Sequence, residues 1–212
     1  MNSALPPLLQ IEALRFAYPE QAPIANGWSA AIGPGVTLLY GDTGAGKSAL
    51  LQVIAGVLPA TKGRLTVAGA SLDAAAEAYR RNVFFVDPAT DAFDQFTARA
   101  CTAALREGDD RFDDALWQAL VEGFSLPPHI DKPMYMLSTG SRRKVWLAAA
   151  LASGRPLVLL DEPTAALDAG SVRCLWGALA DLAARPGRAF VVASAARIDE
   201  VPLAATIALP LH

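Results

Sequence analysis

The stretch GDTGAGKS, Gly41 to Ser48, constrains this chain more than any other. It fits the pattern G-x-x-x-x-G-K-[S/T] at every fixed position, and its mechanism requires a strand before it and a helix after it. Both flanks are present. The run "WSAAIGPGVTLLY" (28–40) is apolar or alternating around Gly and Pro, as strands are, while "ALLQVIAGVL" (49–58) has helical spacing and stops at Pro59. The glycines allow the backbone of Gly41, Asp42, Thr43, Gly44, Ala45 and Gly46 to curl, so that successive N–H groups point at phosphate oxygens. A helix starting near Lys47 adds the positive end of its dipole. Lys47 is then placed to reach the β and γ phosphates of a nucleotide, and the Ser48 hydroxyl to ligate Mg²⁺.

A second motif, "LVLLDEP" (157–163), is in register with the first. Four consecutive apolar residues suit a strand buried on both faces, and two carboxylates at its C-terminal end project into the crevice where such sheets bind ligands. Asp161 is the expected Mg²⁺ partner, directly or through water. Glu162 is the expected catalytic group, placed to orient or deprotonate an attacking water, a step worth about 10²–10⁴ in rate.

The rest of the chain agrees with an α/β reading. "LLQIEALRFAY" (8–18) reads as a strand, "GRLTVAGASL" (63–72) as a short strand pair, and "SVRCLWGALADLAA", "RAFVVASAA" and "ATIALPL" as a helix followed by two strands. Such alternation predicts a mainly parallel sheet flanked by helices, with an N-terminal antiparallel β portion. Between them, residues 97–136 are helical, alanine-rich and acidic at "REGDDRFDD", and end in the proline-rich "LPPHIDKPM". We read them as part of an inserted helical subdomain, and the acidic run as a solvated loop and helix start.

Composition excludes several function classes. A net charge of −3 and a pI near 5.4 offer no general attraction for nucleic acid or anionic lipid, so a phosphate site must be local. Only two cysteines, Cys101 and Cys174, and two histidines, His129 and His212, are present, which removes disulfide, zinc and histidine-rich metal chemistry. "MNSALPPLLQIEALRF" lacks a basic segment and an apolar core of signal length, and the apolar run 145–160 is broken by "SGRP". The expectation is no export signal and no membrane span. The 53% hydrophobic content leaves room for apolar surface that meets a partner.

With both phosphate motifs placed, "LSTGSRRKVWLAAAL" (137–151) resembles the LSGGQ signature and following helix of ATP-binding cassette (ABC) proteins. The resemblance covers nearly the whole chain. Tyr18 matches the aromatic that stacks on adenine, "AALD" ending at Asp168 matches the D-loop, and "GVLPATKGRLTVAGASL" matches the segment after the phosphate loop. It implies the P-loop NTPase fold as a single ABC-type ATP-binding domain over 1–212: a RecA-like core with β subdomain over about 1–96 and 152–212, and a helical subdomain carrying the signature over about 97–151. It also implies two cassettes facing head to tail, with Ser138 and Gly140 of one presented to the γ-phosphate held by the other.

The departures from the family pattern fall on catalytic accessories. Thr139 and Ser141 replace a Gly and the Gln of the signature. Asp87 or Pro88 stands where the Q-loop Gln is expected, and Gln95 is displaced too far along; Asp87 reads best as a turn-forming Asp before Pro. Ala195 or Ala196 stands where the switch His belongs, His129 and His212 do not match it, and Arg197 reads as a solvated strand-end residue. A positioned donor to the transition state is worth about 10²–10³ in rate. The chain is therefore expected to bind ATP with Mg²⁺ well and to hydrolyse it slowly. Two roles follow. One is the ATP-binding subunit of an ABC transporter, a homodimer or heterodimer of cassettes held on the cytoplasmic face of the membrane by a separate transmembrane permease. The other is a non-hydrolytic or regulatory ATP-gated cassette that completes the site of a competent partner. A DNA- or ribosome-acting cassette would show a coiled-coil insertion, zinc cysteines or tandem cassettes, and a nucleotide kinase would not explain "LSTGSRRKV".

Overall fold

A computed structural model describes residues 7–211; His212 and the first six residues, on which part of the reading about export rests, lie outside the described residues. Two sheets form. Strands β1 (Leu9–Phe16), β2 (Ala25–Ile32), β4 (Lys62–Val67) and β5 (Ala70–Ser71) make an antiparallel sheet in the order β2-β1-β4-β5. Strands β3 (Gly35–Tyr40), β6 (Val83–Phe84), β7 (Leu157–Asp161), β8 (Ala189–Ser194) and β9 (Leu203–Ala208) make a parallel sheet in the order β6-β7-β8-β3-β9.

The inner strands β3, β7 and β8 are almost wholly apolar because both of their faces are covered, whereas the edge strand β9 is largely exposed. On β7, Leu157 and Leu159 face one core while Val158 and Leu160 face the other; on β8, Val191 and Ala193 oppose Phe190 and Val192. The first core is closed by α1 (Lys47–Ile54) and the antiparallel sheet, through Leu50, Leu51, Val53, Ile54, Leu9 and Ile11. The second is closed by α3 (Ala98–Leu105), α4 (Asp114–Gly123), α5 (Thr139–Ala152) and α6 (Ala169–Ala183). Leu159 is 2% exposed, so trimming it to alanine should cost about 2–5 kcal/mol.

Two outcomes differ from the local patterns. The run 28–40 is two strands in different sheets, parted at Gly33 and Pro34. The segment before Asp87 holds a short helix α2 (Ala76–Arg81) and the edge strand β6, which local pattern alone does not announce. The helical segment shares one continuous core with the sheet beneath it. Arginines stitch the two together: Arg155 donates to the carbonyls of Val83 (3.2 Å) and Leu105 (3.1 Å), and Arg188 to those of Leu151 (3.1 Å) and Ala150 (3.2 Å) at the end of α5. The effect is to fix the ends of α3 and α5 against the edge of the sheet.

Candidate nucleotide site

At the carboxyl ends of β3, β7 and β8 lies an open cleft lined by Tyr18, Thr43, Gly44, Gly46, Lys47, Ser48, Glu162 and Ala195. Gly46 caps α1 with φ +94°, and a Cβ there would sit 2.5 Å from Ile24 Cδ1, so conformation and space both demand glycine. No side chain caps α1, which leaves its first N–H groups for an acceptor in the cleft. Gly41, Asp42 and Ala45 form the underside of the loop: Ala45 N–H donates to Asp42 O at 3.1 Å, and Gly41 packs on Leu209 and Ala45.

Lys47 is 6% exposed. Its ammonium donates to Gly41 O (2.7 Å) and Asp42 O (3.1 Å) and lies 3.2 Å from Glu162 Oε1. Asp161 ends β7 with Oδ1 buried and unpartnered, and the Ser48 side chain lies beside its carboxyl group. Burial pushes the Asp161 carboxyl above the usual carboxylate range, and Ser48 and the neighbouring cations act against that rise. An orphaned carboxylate oxygen beside a serine hydroxyl fits Mg²⁺, a hard cation that takes few protein ligands and completes its shell from phosphate and water. Among the described residues no cluster of three His, Cys, Asp or Glu gathers around one point.

Glu162 adopts φ +42°, a left-handed conformation that costs a non-glycine residue about 1–3 kcal/mol. Its N–H donates to Ala193 O at 2.9 Å, and its Oε1 accepts from Ala195 N–H at 3.0 Å. Behind it, Arg143 Nη1 donates to Asp161 O at 2.9 Å and to Glu162 O. Ala195 and Ala196 are exposed after β8, and Ala195 brings a methyl group and a backbone amide to the cleft. Arg197 is exposed with its guanidinium 5.2 Å from the centre of the Tyr40 ring.

The structure does not bring Ser138, Gly140 and Asp168 to this cleft. Ser138 is the exposed N-cap of α5, its Oγ accepting from Ser141 N–H at 3.1 Å. Gly140 leaves no room for a Cβ against the Ala166 carbonyl. Asp168 caps α6 through Ser171 N–H (2.9 Å) and pairs with Lys144 (2.6 Å), and both contacts hold its carboxyl well below the usual range. Asp87 accepts from Ala89 N–H at 2.9 Å, the turn the sequence suggested, and also from Gln52 Nε2 on α1 at 2.7 Å.

Sequence reading missed Gln52, Arg143 and the Ala195 amide. Arg143 did leave a signal. Three successive cations, Arg142, Arg143 and Lys144, sit in the N-terminal part of a helix, where the dipole disfavours positive charge, so each needs a specific acceptor. Arg142 finds Asp94 and the Thr90 carbonyl, and Lys144 finds Asp168.

Comparison with known proteins gives a consistent result. A family model described as ABC transporter matches residues 26–165. The cytochrome c biogenesis ATP-binding export protein CcmA of Rhodospirillum rubrum is 35% identical over 188 residues, covering 82% of this chain and 74% of that protein. The cobalt import ATP-binding protein CbiO of Rhodobacter capsulatus is 34% identical over 169 residues, covering 75% of this chain and 60% of that protein. Among solved structures, a putative ABC transporter ATP-binding protein from Pyrococcus furiosus superposes with a TM-score of 0.76 at 20% identity, covering 95% of this chain and 96% of that one. That last likeness concerns the fold alone.

Proposed function

This chain belongs to the ABC transporter family as an ATP-binding subunit, and on that premise we propose that it binds ATP with Mg²⁺ in the cleft between Lys47 and Glu162 and couples dimer closure to a separate transmembrane permease. The observation that carries the reading is the convergence, in one cleft, of an uncapped helix start, a buried lysine, and a serine hydroxyl on a carboxylate with an unpartnered oxygen.

The division of labour follows from the geometry. The N–H groups of the loop and of the start of α1 bind phosphate oxygens, and Lys47 adds the principal charge. Ser48 and Asp161 would hold Mg²⁺, which supplies charge neutralisation at the phosphates when bound. Tyr18 offers a half-exposed ring to adenine, steadied edge-on by Phe16 with ring centres 5.3 Å apart. Glu162 orients or accepts a proton from water. Ser138 and Gly140 of a second cassette, a copy or a relative, close the site in trans. No helix among the described residues is long and apolar enough to cross a membrane; on this reading the permease holds the chain at the cytoplasmic face.

Hydrolysis by the chain alone is slow on this reading, because the cleft receives no imidazole near residue 195. That same observation favours a second role, in which the chain closes on ATP and lends "LSTG" to a competent partner cassette. Light scattering separates the possibilities. Association of two copies of Glu162→Gln with Mg-ATP and not ADP supports the transporter subunit as a homodimer. Association only with a different cassette, whose turnover rises on mixing, supports the second role. No ATP-dependent association of either kind contradicts both.

A further inference from the structure

We propose that Arg143 is a positioning residue: it holds the main chain of Asp161 and Glu162 from behind, and so links the start of α5 to the carboxylate that faces the cleft. The inference rests on the reading of Glu162 given above, and goes beyond it by naming the side chain that keeps the glutamate aimed.

Glu162 needs help to stay where it is. A left-handed backbone at a non-glycine residue persists only when its surroundings over-determine it. The amide of Glu162 is fixed by Ala193 O, but that bond leaves the two carbonyls at 161 and 162 turned toward α5. One nitrogen of Arg143 serves both of them; the Glu162 carbonyl also accepts from Ala165 N–H at 3.0 Å, and among the described residues no other side chain donates to either. The two N–H groups of Nη1 point in directions fixed by the planar, permanently charged guanidinium, one for each carbonyl; the freely rotating ammonium of lysine suits them less well.

The placement is costly for Arg143, which argues that it is specific. The side chain is half-buried, its Nε is buried with no partner, and burial pushes the guanidinium below its usual range while the Asp161 and Glu162 charges oppose that fall. The guanidinium bonds the main chain and leaves the Glu162 carboxylate free to meet Lys47 and the Ala195 amide.

Arg143 does not act alone on this segment. Gly140 packs on the Ala166 carbonyl and Lys144 pairs with Asp168, so three points within the first turns of α5 fasten it to residues 161–168. A displacement of the Ser138 end of α5 by a second cassette is therefore passed to Glu162 through the Arg143 side chain and its neighbours on α5. Engagement of the signature surface and aim of the glutamate become one event.

The test uses the full chain and the variants Arg143→Leu, Arg143→Gln and Arg143→Lys. Hydrogen exchange, read without nucleotide, reports the amides of Glu162 and Ala165, which are bonded to Ala193 O and Glu162 O. Steady-state hydrolysis of labelled ATP, followed over a range of ATP concentrations, gives kcat and KM. The expected result is faster exchange confined to the peptide spanning 161–168, with kcat lowered about tenfold or more in Arg143→Leu, KM within about twofold, and partial recovery in Arg143→Lys. If Arg143→Leu does not fold, Arg143→Gln carries the same comparison with a smaller effect. Unaltered exchange at 161–168, exchange that rises throughout the chain, or KM rising together with the fall in kcat would overturn the inference. If instead the unaltered chain turns over no ATP on its own, the role of Glu162 in hydrolysis is what falls, and the exchange measurement still decides the role of Arg143.

Discussion

Helices α1 and α5 both start on a turn of small residues, yet their first N–H groups are treated in opposite ways. At α1 the cap is Gly46, which has no side chain to offer, so those groups face the cleft unsatisfied. At α5 the cap is Ser138, whose own hydroxyl accepts from Ser141 N–H. The cations differ as well. Lys47 lines the cleft, bonded to the Gly41 and Asp42 carbonyls and facing Glu162, whereas Arg142, Arg143 and Lys144 do not line it and each find their partners elsewhere in the chain. One helix start is a primary anion seat. The other accepts an anion only by trading away its own cap, as suits a surface used when a second cassette arrives.

The largest expected effect that would break this comparison is at Lys47. Lys47→Ala removes the cation of the primary seat and should weaken binding of a fluorescent ATP analogue by about 100-fold or more, a loss in the range of other buried charge contacts. An unchanged titration would put the two helix starts on the same footing. Next comes Ala195→His, which returns an imidazole to the wall of the cleft beside Glu162. Turnover should rise about tenfold, somewhat below the full worth of a positioned donor. Unchanged turnover would show that the residue-195 amide on Glu162 already does what the side chain would do.

Smaller effects sharpen the picture. Ser138→Ala deletes the cap of α5 at a cost of about 1 kcal/mol, which for a domain of this size lowers Tm by about 2–4 °C. The chain's own nucleotide affinity should stay unchanged, because Ser138 does not line its own cleft. Affinity falling in step with Tm would place Ser138 in the wrong site. The smallest effect is a pH dependence at Asp161. Its carboxyl is raised in the folded state, mainly by burial, so above the ordinary carboxylate pKa of about 3.9 the unfolded chain has lost a proton that the folded chain keeps. Stability is drained as pH rises from that value through the folded-state pKa. Asp161→Asn should therefore unfold at a slightly higher temperature than the parent at pH 7, with the gap closing below about pH 4, while Mg²⁺ no longer strengthens its nucleotide binding. Thermal scans at two pH values check the sign.

What the sequence made legible was whatever is decided locally or by a strict pattern. The phosphate loop and the strand of Leu157 to Asp161 announce themselves because glycine geometry and two-sided burial leave few alternatives for those residues. The edge strand β6 was not legible, since Val83 and Phe84 become a strand only by pairing with Leu157 and Val158, more than seventy positions away. Splitting residues 28–40 between two sheets likewise depends on what Gly35 and Ala25 pair with, and not on their neighbours. In the site, side-chain chemistry was readable and backbone chemistry was not. Ala195 looks like a lost function in the sequence, and only the fold shows its N–H on Glu162. Arg143 was visible as a cation at the wrong end of a helix, but the two carbonyls that justify it belong to another element.

The account depends on the cleft at Lys47 being a nucleotide seat closed by magnesium. Isothermal calorimetry of the unaltered chain, titrated with ATP in the presence of Mg²⁺ and again with the metal chelated, tests it most directly. The prediction is a saturable heat with one nucleotide per chain, weakened on chelation. Absence of saturable binding, or binding indifferent to the metal, would contradict it.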